Sequence, residues 1–127
     1  MNLRLEILDG EFTIFQLLSD AAIPSWLNLS AHPLISITRT GDELSIICPA
    51  GAVPPGVQCE AGWCAFRVAE KLEFSAVGIL AAIVTPLAEA GISILSISTF
   101  DTDYILVRSQ ALEQAKRALH GRFQLEP

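Results

Sequence analysis

The stretch Ser75–Val107, SAVGILAAIVTPLAEAGISILSISTFDTDYILV, decides the fold. Val77, Leu80, Ala81, Val84, Leu87 and Ala88 recur at helical spacing, so a helix is predicted from Ser75 or Glu73. Gly91 stands where a left-handed residue ends such a helix. Ile92–Phe100 then reads as a strand, Asp101-Thr102 as a turn, and Tyr104–Val107 as the returning strand. Pro86 lies inside the helix and is expected to bend it near Ala82, because it removes one backbone hydrogen bond.

Working outward, Trp63–Ala69 reads as a strand, with Cys64, Phe66 and Val68 on one face and Ala65 and Arg67 on the other. Ser109 is placed to cap a last helix carrying Leu112, Ala115 and Leu119 on one side. A closing strand is expected near Phe123–Leu125. In the first half, Leu3, Leu5 and Ile7 alternate with Arg4 and Glu6 as in a half-buried strand. Asp9-Gly10 is hairpin chemistry before Phe12–Leu18, and Gly41-Asp42 joins Leu34–Thr38 to Leu44–Cys48. Between these hairpins the pattern weakens to Ile23, Trp26 and Leu27, with a short helical turn expected near Pro24. Pro49–Gly56 is a proline-rich connector. The pattern is a weak internal repeat of an α+β sandwich, helices on one face of an antiparallel sheet, with its first copy degenerate.

The 127 residues are 51% hydrophobic and 17% charged. That apolar fraction predicts either membrane contact or surface covered by another subunit. Phe74–Ile97 has the length of a membrane span. However, Glu89, Pro86, Gly91 and several serines interrupt it and no basic cluster flanks it. Subunit pairing is the expectation. The net charge of −6 and the scattered basic residues argue against a nucleic-acid groove. Cys48, Cys59 and Cys64 form an odd set in a chain lacking a signal-peptide pattern, so reduced thiols and a cytoplasmic location are expected. Four residues separate Cys59 from Cys64, and no second pair completes a metal site. Neither His32 nor His120 stands in a catalytic motif, and PAGAVPPG lacks the lysine and the N–H donors of a phosphate loop. No catalytic residue, cofactor or metal is therefore predicted.

The residues Thr85–Ile94 (TPLAEAGISI) and Ser98–Val107 (STFDTDYILV) resemble the ACT-domain family. They are closest to the small tandem-ACT proteins related to aspartate-kinase regulatory domains and to eukaryotic cytosolic arginine sensors. Ile35–Ile46 (ISITRTGDELSI) resembles the matching first-half motif. The resemblance implies a duplicated ferredoxin-like βαββαβ fold, with repeats at 1–60 (degenerate) and 61–127 and units paired side by side through their sheets. It also implies allosteric regulation by a free amino acid, bound without chemistry, in a homodimer, with any regulated metabolic enzyme on a separate chain. The alternative is a ligand-free adaptor that uses the fold for self-association or for holding a partner enzyme.

A free amino acid needs donors for its carboxylate and an acceptor for its ammonium. The helix start at Ser75, Ala76, Val77 and Gly78 would supply N–H donors. Equally, Ser75 could serve only as a cap, and Gly78 only to relieve packing. Asp103 occupies the family's acidic position after the Ser-Thr-aromatic motif and is the candidate acceptor, whereas Asp101 reads as a turn residue. Thr99 and Phe100 are placed to line the same pocket, although Phe100 equally fits a core position.

Overall fold

The computed structural model describes residues 3–127. They form strands β1 (Arg4–Ile7), β2 (Phe12–Leu17), β3 (Ser36–Arg39), β4 (Leu44–Pro49) and β5 (Glu60–Val68). Helix α1 (Ile79–Glu89), β6 (Ile94–Ser98), β7 (Asp103–Arg108), α2 (Leu112–Leu119) and β8 (Gln124–Glu126) follow. The chain divides into two compact units. One joins the described residues up to Asp9 to Cys64–Pro127, and the other is Gly10–Trp63. The strand β1 thus belongs with the second half of the sequence.

In the first of these units, β1 lies between β5 and β8. It pairs antiparallel with β5 (Leu5 opposite Val68) and parallel with β8 (Leu5 opposite Leu125). On the other side β7 pairs with β5, and β6 pairs antiparallel with β7 from Ile94–Val107 to Ser98–Asp103. Side chains two apart share a sheet face. Leu3 and Leu5, Phe66 and Val68, and Ile105 and Val107 accordingly enter one core with Ile83 and Leu87 of α1 and Ala115 and Leu119 of α2. Both helices therefore cover the same face, as the α+β reading requires.

The end of α1 follows from Gly91, whose φ of +75° is open to glycine at little cost. It lets the Gly91 N–H reach the Ala88 carbonyl (2.9 Å) and the Ile92 N–H reach the Leu87 carbonyl (3.0 Å). That is the Schellman arrangement, and buried Leu87 and Ile92 supply its apolar contact. Because Ile92 is used in this way, β6 begins at Ile94 rather than at Ile92. Pro86 is buried within α1, which stays helical from Ile79 to Glu89. Ser109 does not cap α2. A single 3-10 turn, Ser109–Ala111, precedes that helix with no side-chain cap bond, and the Ser109 hydroxyl instead lies 3.5 Å from the Cys64 thiol.

Within Gly10–Trp63, β4 pairs antiparallel with β3 and β2, and β2 pairs with the opening residues of β5 through a register shift between Phe12 and Ile14. Phe15, Leu27, Leu44, Ile46 and Cys48 form the core, and Trp26 packs on Phe15 with ring centres 5.7 Å apart. This unit contains no α-helix. Near Pro24 there is only a turn, closed by the Leu27 N–H on the Pro24 carbonyl at 3.1 Å. Three apolar anchors around a proline do not make the multi-turn face that stabilises a helix. The segment is held instead by Arg39, whose guanidinium donates to the Ser19 and Ala21 carbonyls.

Candidate functional site

The candidate site grows out of where α1 begins. Ser75 does not start the helix. The segment before it is a coil with a turn closed by the Ala76 N–H on the Glu73 carbonyl (3.0 Å), and α1 opens at Ile79 after Gly78. Gly78 has φ +82°, a left-handed conformation that costs other residues about 1–2 kcal/mol. A Cβ built there meets nothing within 4 Å, so the glycine answers a backbone requirement rather than a close approach. The first intrahelical bond runs from the Ala82 N–H to the Gly78 carbonyl at 2.9 Å. Among the described residues, the N–H groups of Ile79, Leu80 and Ala81 have no acceptor, and they carry the positive end of the helix dipole.

Ile79, Leu80 and Ala81 line a cleft of about 310 Å³ together with the residues of the β6–β7 turn. That turn is fixed by Thr99. Its N–H donates to the Thr102 carbonyl (2.8 Å) and its hydroxyl donates to the same carbonyl (3.1 Å). The Thr102 hydroxyl in turn donates to the Val68 carbonyl at 2.7 Å, tying the turn to β5. Asp103, the first residue of β7, accepts a 2.6 Å hydrogen bond from Ser98, its partner across the hairpin. Asp101 sits in the turn, where its carbonyl accepts the Leu72 N–H (2.7 Å) and its carboxylate lies 3.6 Å from the Lys71 ammonium.

Of the residues named from sequence, Ala76, Gly78, Thr99, Phe100 and Asp103 line this cleft together, and Ser75 and Val77 do not. Val77 is 89% exposed. Phe100 is not core. It is 72% exposed and meets Phe74, itself 76% exposed, edge-to-face at 4.7 Å on the rim. Sequence reasoning missed Phe74, Leu72 and Glu73, which also line the cleft. The signal that could have found them was Phe74 standing in a segment with no helical or strand period. The acidic side chains Glu73, Asp101 and Asp103 line the cleft and no basic side chain does, so it favours a cationic group beside the amide end of α1. Among the described residues no three His, Cys, Asp or Glu side chains are grouped as a metal site, and no helix is long and apolar enough to cross a membrane.

Comparison with known proteins agrees with this architecture. A structure from Agrobacterium tumefaciens is 37% identical over 98% of this chain and 92% of its own, with a TM-score of 0.89. A Vibrio cholerae protein of unknown function is 27% identical over 93% and 88%, with a TM-score of 0.74. The ligand-free regulatory subunit of aspartate kinase from Thermus thermophilus shares the fold at 14% identity, covering 90% and 95% with a TM-score of 0.55. No curated protein matches the chain. A second family model, for an N-terminal domain, matches residues 10–56. The ACT domain model matches residues 58–121, half of the chain, and the chain therefore belongs to the ACT-domain family.

Proposed function

We propose that this protein is a non-catalytic regulatory protein of the ACT type that binds a free amino acid as a homodimer. The observation that supports this reading is the cleft itself, which Ile79–Ala81, with their unpaired amides, and Asp103 both line. The amides and the helix dipole suit an α-carboxylate, and Asp103, oriented by Ser98, suits an α-ammonium. A ligand that alters this protein would act on a separate metabolic enzyme by changing which surface is presented to it.

The test is a thermal-shift series with the twenty amino acids. A ligand that binds only the native state raises its stability by RT ln(1 + [L]/Kd). One or a few amino acids are expected to raise Tm, and Asp103→Ala is expected to abolish the rise. No shift from any of them at millimolar concentration defeats the proposal. A second reading, a ligand-free adaptor, is favoured by the exposed rim of Phe74, Val77 and Phe100. It predicts loss of partner binding on Phe100→Glu and none on Asp103→Ala.

A further inference from the structure

The cleft at the start of α1 holds more than a carboxylate and a plain ammonium need. Phe74, from the coil before α1, and Phe100, from the β6–β7 turn, both line it, and their rings meet edge-to-face at 4.7 Å. They stay 76% and 72% exposed, so little of their apolar surface is used within the fold. Nor is the ring pair the tie between the two segments, because the Leu72 N–H already bonds the Asp101 carbonyl at 2.7 Å. The charge of the lining is the second unused feature. Asp101 lies 3.6 Å from the Lys71 ammonium, whereas Glu73 and Asp103 have no ion-pair partner among the described residues. Aromatic faces and uncompensated carboxylates thus share one cleft with no basic side chain in its lining.

We infer that the cleft takes an N-methylated amino acid, a betaine-type zwitterion, with its quaternary ammonium against Phe74 and Phe100 and its carboxylate at the amides of Ile79–Ala81. The inference rests on the amino-acid reading of this cleft and names the form of the amino group it prefers. A primary ammonium carries three N–H donors, and each asks for an acceptor. Ring faces accept an N–H only weakly, and Asp103 already takes the Ser98 hydroxyl at 2.6 Å. A quaternary ammonium has no N–H to satisfy. It presents methyl groups to the rings and positive charge to their π faces, the combination that aromatic cages select. The Glu73 and Asp103 carboxylates add a negative field without having to touch it. Carboxylates alone would not tell the two forms of nitrogen apart. Rings alone would suit a neutral apolar ligand, which would leave Glu73 and Asp103 uncompensated. A volume of about 310 Å³ is that of a small-molecule site, and betaines are small.

Calorimetric titration of the full chain tests this with pairs of compounds, each a parent and its N-methylated form: glycine and trimethylglycine, proline and N,N-dimethylproline, γ-aminobutyrate and its trimethyl derivative. In at least one pair the methylated form is expected to bind about tenfold more tightly than its parent. Phe74→Leu and Phe100→Leu keep an apolar side chain and remove the π face, so each should cancel most of that advantage without weakening the parent. Choline, which has the cation and no carboxylate, should bind about tenfold more weakly than trimethylglycine. Methylated forms that bind no tighter than their parents overturn the inference and leave the amino-acid reading standing. Silence from every pair beside a Tm shift from another of the twenty amino acids does the same, and silence from all of them defeats both. An advantage that survives both leucine variants also overturns it, since the rings would not be its source. Choline binding as tightly as trimethylglycine removes the carboxylate end and with it the inference. Should a leucine variant fail to fold, the comparison of parent with methylated form on wild type decides.

Discussion

Gly78→Ala is the substitution that separates the helix start read from the sequence from the one in the structure. At φ +82° an alanine pays left-handed strain of about 1–2 kcal/mol, while losing less unfolded-chain entropy recovers roughly 0.4–1 kcal/mol. No atom lies within 4 Å of the new Cβ, so there is no packing term to add, and the net loss is about 1 kcal/mol. Ser75→Ala removes a side chain that caps nothing and is exposed, so it stays within about 0.5 kcal/mol of wild type. Urea titrations of the three proteins read the difference directly. With m of about 1–3 kcal/mol per molar, the Gly78→Ala midpoint falls by roughly 0.3–1 M and the Ser75→Ala midpoint hardly moves. A Ser75→Ala loss as large as that of Gly78→Ala would show that Ser75 caps the helix after all and would refute this account of the amide end.

Ile83 is fully buried against β1, β5 and β7, so Ile83→Ala should cost about 2–5 kcal/mol by leaving a cavity, read from the same urea curves. Glu70 accepts the Arg4 backbone N–H (3.0 Å) and its guanidinium (2.8 Å), which hold its carboxyl below the usual 4.5. A lowered folded pKa means that the unfolded chain binds more protons. The stability contributed is therefore full above 4.5 and lost as pH falls through the lowered value, and Glu70→Gln should flatten the acid limb of a Tm–pH profile. Burial, reinforced by the neighbouring Cys59, pushes the Cys48 thiol up to about 11. Native protein at pH 8 should then be alkylated by iodoacetamide at Cys59, which opens on a cleft, and not at Cys48, as peptide mass mapping would show.

Periodicity carried most of the second half. The helical spacing of Val77, Leu80, Ala81, Val84, Leu87 and Ala88 is a local pattern that marks a helix but not its buried face, because α1 buries Ile79, Ile83, Pro86 and Leu87 and leaves Val77, Ala81 and Ala88 exposed. What escaped depends on partners distant in sequence. The alternation of Leu3, Leu5 and Ile7 says that a strand exists. It does not say that the strand inserts between β5 and β8, about sixty and one hundred and twenty residues away. Ser75 looked like a cap because serine is a favoured cap, but a glycine three residues later could turn left-handed and begin the helix there. Phe100 fitted core and pocket alike, since an aromatic after an alternating strand looks the same in both.

The candidate cleft lies within one unit for a reason that runs through the chain. The N-terminus of an α-helix is a ready set of donors for a carboxylate, and Gly10–Trp63 has no α-helix, because Pro24 and the sparse anchors of its middle segment leave only a turn. The remaining cleft depends on two chain segments meeting, the coil before α1 and the β6–β7 turn, and three features far apart in sequence hold them together. The Leu72–Asp101 backbone bond joins the segments directly, and the Thr102–Val68 bond fixes the turn to β5. Arg4, from the inserted strand, anchors Glu70 at the start of the coil and Glu126 in β8. Loosening β1 would therefore release one wall of the cleft without touching any residue that lines it. A ligand bridging the amides of Ile79–Ala81 and Asp103 would oppose that release. Stability of the inserted strand and occupancy of the cleft are then linked quantities.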